Sequence, residues 1–305
     1  MKFYFSLQFK MLNRQFSDFG LLPILGYLLS IIAFVGLSYL LFYATEFAPY
    51  IYILIAITIL SKLSNTRRND FLKGCFSTLE YRQVRIMENL MVVIPFILFL
   101  IYKNQLLSAG AILFISGIIA FVSVKNRFNH TIYTPFYKYP FEFIVGFRNT
   151  FFVLIFTYFI TFMAITVGNF NLGFFSILLV FFICMTFYSA PEKEYYVWIF
   201  SSNANTFLLS KIKTAMLFST LLSLPIIICM SIFFPSKIGI ILIFQCAGYL
   251  YLSTMILAKY SDFPGKMNFS QAFIFGLGCI FPPFLLLTIP LFYSQSLHSL
   301  NKILK

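Results

Sequence analysis

The chain has 305 residues, 60% of them hydrophobic and only 10% charged, with a net charge of +13. A mean hydropathy of +0.90 excludes an ordinary soluble domain. The excess of Lys and Arg reads as cation retention in the cytoplasmic loops of a membrane protein, not as a nucleic-acid surface.

Apolar runs of about twenty residues predict helices, because every backbone N–H and C=O in hydrocarbon must be paired within its own segment. A β-barrel shows shorter, alternating segments. The expected fold is therefore an all-α polytopic integral membrane protein. Residues 1–17 carry Lys2, Lys10 and Arg14 among Phe and Leu and read as an interfacial amphipathic segment rather than a cleaved signal. Spans are expected at 20–43, 50–63, 90–102, 106–124, 149–167, 172–189, 214–234 and 238–258, the second and third being short for a bilayer. The last apolar run, 271–293, holds Phe281-Pro282-Pro283-Phe284. It reads as a ninth, kinked span, with a re-entrant hairpin as the alternative.

Eighteen of the 22 Lys and Arg residues fall on the N-terminal segment and on alternate connections, and four on the opposite side or in the tail. This bias predicts a cytoplasmic N-terminus and cytoplasmic placement of the two long polar loops, 64–89 and 190–213. The two loops share a plan. Asp70-Phe71 and Phe76-Ser77 find counterparts in Glu194-Tyr195 and Phe200-Ser201, each offset by 124 residues. Basic residues follow in both (Arg82 and Arg85; Lys211 and Lys213), ahead of an apolar span with a proline. Each four-span unit also ends in a proline-bearing connector, Pro135 to Gly146 and Pro264 to Gly276. The predicted division is 1–17, a first four-span unit at 18–148, a second at 149–268, and a last span or hairpin with its tail at 269–305. Four crossings restore the starting side, so the two repeats are parallel, one known way to build a transport pathway.

Catalytic signatures are missing from the sequence. It has no G-x-x-x-x-G-K-[ST] phosphate loop, no H-E-x-x-H and no G-x-S-x-G. Its five cysteines are scattered without a C-x-x-C pair and suggest neither a disulfide framework nor a metal site. His130 reads as an interfacial polar residue, with a general base as the alternative. All nine acidic residues fall in loops or at span ends. Glu88 comes nearest to the membrane and is expected to be an N-terminal helix charge at the mouth of the third span. No central carboxylate is expected to carry ion coupling.

The loops are thus the expected working surface. Each carries a short helix with acidic and aromatic residues: Asp70, Phe71 and Phe76 in the first; Glu194, Tyr195, Trp198 and Phe200 in the second. Aromatic side chains exposed on such a helix make good interface anchors. The same side chains also suit the headgroup belt of a juxtamembrane helix.

The segments Glu192-Lys193-Glu194-Tyr195-Tyr196-Val197-Trp198-Ile199-Phe200 and Phe207-Leu208-Leu209-Ser210-Lys211-Ile212-Lys213-Thr214-Ala215 resemble the permease subunits of ABC transporters of the ABC-2 (exporter) type. So do Thr134-Pro135-Phe136-Tyr137-Lys138 and Pro140-Phe141-Glu142-Phe143. The likeness is closest to compact single-chain members predicted in Bacteroidota and covers about half the chain. It implies a multi-pass protein of the bacterial inner membrane, with a coupling helix seated on a separate ATP-binding-cassette ATPase subunit. ATP would be bound by that partner, with no cofactor on this chain and a homo- or hetero-oligomeric assembly. The usual permease has six spans, fewer than the nine expected here. A weaker resemblance is to intramembrane prenyltransferases of the UbiA type, which hold Mg²⁺ and a diphosphate on aspartate-rich loops after spans two and six. The corresponding residues would be Asn65, Asn69, Asp70, Glu192 and Glu194, too few carboxylates at helical spacing for such a site. A structural subunit of a membrane complex is the third reading.

Overall fold

The computed structural model describes residues 2–122, 132–136, 141–189, 192–199 and 202–304, and every regular element among them is a helix. His130, Phe200, Ser201 and residues 137–140 lie outside the described residues. The chain divides into two compact units, residues 1–130 and 131–305.

The first unit opens with α1 (Lys2–Asp18), which buries none of its residues. Gly20, at φ 84, reverses the chain, and the Leu21 N–H closes the turn on the Phe16 carbonyl at 2.9 Å. α2 (Pro23–Ala44) starts on a proline, which suits the first turn of a helix. α1 lies against it through Phe9 stacked on Tyr27 and the Tyr27 hydroxyl donating to Asn13 Oδ1 at 2.7 Å. α3 (Ala48–Leu63), the loop helix α4 (Thr66–Cys75), α5 (Thr78–Tyr102) and α6 (Leu106–Phe121) follow. α3, α5 and α6 pack on one another around Tyr52, Leu60, Val93, Phe96, Leu100 and Ile112. The expected third span, 90–102, is the second half of α5. A capping box at Ser77 and Glu80 starts that helix twelve residues earlier, so the polar stretch 78–89 is helical and continuous with the apolar one.

The second unit contains α7 (Phe141–Val167), α8 (Phe170–Thr186), the short α9 (Glu194–Trp198), α10 (Ala204–Phe233), α11 (Ile238–Ser261), α12 (Phe269–Ile280) and α13 (Leu285–Leu300). α8 is its central helix, touching α7, α10 and α11. At three glycines a neighbouring side chain fills the place of the missing Cβ: Phe187 at Gly146, Met230 at Gly173 and Phe181 at Gly248. The last apolar run is not a single helix. α12 ends at Ile280, Pro282 and Pro283 make a tight turn, and α13 returns. Ser296 and Ser299 of α13 donate to Leu257 and Ser261 of α11, whereas Gly278 in α12 accepts from Tyr251, two turns further into α11. α13 therefore runs parallel to α11 and back to the end where α12 began. The run is thus folded back on itself rather than continued as one kinked helix.

Five helices among the described residues are long and apolar enough to cross a membrane: α2, α5, α7, α10, and α11 with the turn that precedes it. α3, α6, α8 and α12 are shorter apolar helices. Their surfaces invert the soluble pattern. Leu37, Leu107, Phe152 and Ile243 face outward, while Ser38, Ser116, Thr157, Ser176, Ser223, Gln245 and Thr254 are buried. Inside apolar surroundings such groups bond across helices or back to their own turn. The Thr161 hydroxyl donates to Ser176 Oγ at 2.8 Å, and Gln245 Nε2 donates to Ser223 Oγ at 3.0 Å.

Candidate functional site

In the first unit, Asn65 caps α4, its side chain accepting from the Arg67 N–H at 2.9 Å. Leu72 anchors the helix and leaves Asp70 and Phe71 exposed, Phe71 at 70%. Phe76 is half-buried, edge-on to the Tyr4 ring of α1 at 5.8 Å. Asn69 points inward and donates to the Ser64 carbonyl at 3.3 Å. Of the first-loop residues expected to dock a partner, Asp70 and Phe71 are free to do so and Phe76 is partly covered.

Behind α4 lies a buried polar cluster. The fully buried Arg85 donates to the Leu63 carbonyl at 2.8 Å and to Ser64 Oγ at 2.7 Å, and reaches the Ile119 carbonyl at 3.4 Å. Its cation thus sits at the carbonyl ends of α3 and α6, where helix dipoles favour positive charge. Glu88 lies 3.7 Å away and also accepts from Arg68 and from the Tyr4 hydroxyl. Burial, followed by this bond to Glu88, raises the Tyr4 phenol to about 12. Asn89 donates to the Ser116 carbonyl at 2.9 Å. The expectation of Glu88 as an N-terminal helix charge at the mouth of the third span is corrected here. It stands in the third turn of α5, paired with two guanidinium groups.

In the second unit, α9 presents Glu194, Tyr195, Tyr196 and Trp198 outward, with Trp198 60% exposed and Val197 buried beneath them. Tyr195 and Trp198 lie side by side, ring centroids 6.3 Å apart. Two residues ahead of α9, Glu192 turns inward. Its Oε1 accepts from Lys211 Nζ at 3.1 Å, Lys259 Nζ at 3.2 Å and the Tyr260 hydroxyl at 3.2 Å. The same two ammonium groups meet Glu142 Oε1, at 2.8 Å from Lys211 and 3.6 Å from Lys259. This quartet joins the start of α7, the second turn of α10 and the last turn of α11 to the segment carrying α9. Burial works against ionisation of Glu192, but a hydrogen bond shared with Glu142 and then the two ammonium groups outweigh it and hold the carboxyl at about 2. Tyr188, at the end of α8, is fully buried beside Lys259, and its hydroxyl has no partner among the described residues.

The five residues of the diphosphate reading are divided between the two units, Asn65, Asn69 and Asp70 in one and Glu192 and Glu194 in the other. Glu194 faces solvent, and Glu192 is surrounded by ammonium groups, the reverse of what Mg²⁺ requires. Among the described residues no three His, Cys, Asp or Glu side chains converge. Sequence reasoning missed the quartet. The usable signal was Lys211 sharing a helical face with Phe207, Leu208 and Ala215, a charge inside an otherwise apolar stripe.

No protein-family model matches the chain, and no curated protein or solved structure matches it either.

Proposed function

We propose that the chain is the membrane-spanning permease subunit of an ATP-driven exporter. In this reading it moves a hydrophobic or amphipathic substrate when a separate ATPase subunit pushes on its loop helices. The observation that carries the reading is the construction of α9. Tyr195, Tyr196 and Trp198 are exposed on a short helix whose base is tied by Glu192 to lysines on α10 and α11. A load applied to those aromatics is transmitted through Glu192 to α10 and α11, and through their lysines to Glu142 on α7. That is what a coupling helix requires, and a headgroup-belt helix needs no such tie.

The finer architecture we propose is eight crossings, α2, α3, α5, α6, α7, α8, α10 and α11, followed by the re-entrant hairpin of α12 and α13. They form two parallel repeats in a bacterial inner membrane with the N-terminus and both loops cytoplasmic. Support comes from the element order of the two units. Each has two apolar helices, a short loop helix, a long proline-bearing helix and another apolar helix. In each, the eighth residue of the long helix is a buried cation paired with glutamate: Arg85 in α5 and Lys211 in α10. The distribution of Lys and Arg supports the orientation.

The test is purification of the tagged chain in mild detergent with mass spectrometry of what remains bound. A stoichiometric ATP-binding-cassette ATPase is expected with the native sequence and is expected to fall away when Tyr195 and Trp198 are changed together to Ala. Purification of the chain alone, or retention of the ATPase by the double variant, removes the basis of the reading.

A further inference from the structure

We infer that Lys211 and Lys259 form a buried site for a phosphate group, that Glu192 is its built-in occupant, and that a phosphate-bearing ligand enters by displacing Glu192. Two ammonium groups and a tyrosine hydroxyl converge on a single oxygen, Glu192 Oε1, at 3.1 to 3.2 Å. Several charge-assisted donors on one anionic oxygen is the way proteins hold phosphate as well as carboxylate. The donors are fixed on the long helices α10 and α11, and both lysines are more than nine-tenths buried. Glu142, on α7, faces the same two ammonium groups. Glu192 is the one member of the quartet outside a long helix. It precedes α9 by two residues, so it can withdraw without disturbing the bundle. With Glu192 withdrawn, the two ammonium groups lose the oxygen on which they converge, in a place where water is scarce and a replacement anion is correspondingly favoured.

A second observation points to a ligand with more acceptors than a carboxylate. Tyr188 is fully buried, and its hydroxyl is unpartnered among the described residues. With Ser189, Met255, Lys259 and Met267 it lines a cavity of about 10 Å³, room for roughly one oxygen-sized group. The unpartnered Tyr188 hydroxyl, on a ring 5.3 Å from Lys259 Nζ, is left unused by Glu192. A tetrahedral phosphate has oxygens to spare for it. Because Glu192 leads into α9, occupation of the site by phosphate would also free the helix that bears Trp198.

The experiment compares thermal unfolding midpoints of the purified full chain, Glu192→Gln, and Glu192→Gln with Lys259→Met. Each is measured in sodium phosphate and in sodium chloride of equal ionic strength. Phosphate is expected to raise the midpoint of Glu192→Gln by about 3 °C or more over chloride. It is expected to do little to the native chain, whose own carboxylate fills the site, and nothing to the double variant. If Glu192→Gln does not fold in chloride, it is expected to be recovered in phosphate. Equal midpoints in the two salts, a response shared by the double variant, or failure to fold in both salts overturns the proposal. Nanodiscs of phosphatidylglycerol and of phosphatidylcholine, without added phosphate, separate the sources. Stabilisation of Glu192→Gln by phosphatidylglycerol alone identifies a lipid headgroup, and a response only to inorganic phosphate identifies a free phosphate. None of these readouts involves a partner ATPase, so the site stands or falls apart from the docking of α9.

Discussion

At the scale of single residues, the most constrained groups are the charges buried at the loop end of each unit. Arg85 satisfies the last carbonyl of α3 and approaches that of Ile119 in α6, with Glu88 as its counter-ion. Arg85→Met removes one of the two guanidinium partners of Glu88 and the donor to Ser64 and Ile119, while Arg68 still meets Glu88 and the Leu63 carbonyl, a loss expected to cost about 1–3 kcal/mol. Arg85→Lys is expected to recover only part, since one ammonium cannot span two helix ends as a planar guanidinium does. Unfolding midpoints in mild detergent, with size-exclusion profiles, check both. Glu192 makes a pH prediction. Its carboxyl is held at about 2, below the ordinary 4.5, so its pairing stabilises the fold fully above 4.5 and is lost as the pH falls through 2. The native midpoint is therefore expected to drop between pH 5 and 3 by more than that of Glu192→Gln, which has no carboxyl to protonate. Parallel acid profiles for the two would show that Glu192 is not held by its lysines. These residues were hard to read from sequence for a physical reason. A charge near a span end is ordinarily solvated, and only the inward direction of Arg85, Glu88, Lys211 and Lys259, set by tertiary packing, makes them a network.

At the scale of elements, helix identity was legible and helix extent less so. Apolar composition located α2, α6, α7, α8, α10 and α11, since a bilayer demands long apolar helices. It misjudged where α5 begins, because the capping box and the polar first turns of that helix look like loop in a hydropathy pattern. Hydropathy also reads the run of α12 and α13 as one kinked span, with the hairpin as the alternative, since two prolines in an apolar run are compatible with a kink or with a reversal. Close packing around α8 gives a graded prediction. A Cβ at Gly248 would stand 2.4 Å from the buried Phe181 ring, and one at Gly173 would stand 2.2 Å from Met230 Sδ. The ring is held on several sides, whereas the thioether is flexible and can turn aside. Gly248→Ala is expected to destabilise by about 1–3 kcal/mol and Gly173→Ala by less than about 1 kcal/mol. Unfolding midpoints of the two variants measure the difference, and equal losses would contradict the assignment of Phe181 as the stiffer neighbour.

At the scale of the molecule, the decisive question is which side of the membrane each end of the second unit faces. α7 begins beside Lys211 and Lys259, α9 projects from the same end, and α13 finishes beside Ser261 of α11, again at that end. The chain between Asp262 and the tail therefore returns to the end of α11 from which it left, although its apolar stretch is long enough in residues to look like a crossing. Topology follows from that geometry without reference to the first unit. A reporter fused after the C-terminus is expected to lie on the same side as a cysteine placed at Glu194 in the α9 loop. With the charge bias, both are expected in the cytoplasm. Labelling with a membrane-impermeant maleimide before and after permeabilisation reads the loop, and a compartment-sensitive fusion reads the tail. Agreement between them is required by the parallel run of α11 and α13. A tail on the far side would mean that the prolines at 282 and 283 kink a crossing helix after all. In that case Lys302 would stand outside, against the distribution of nearly every other cation in the chain.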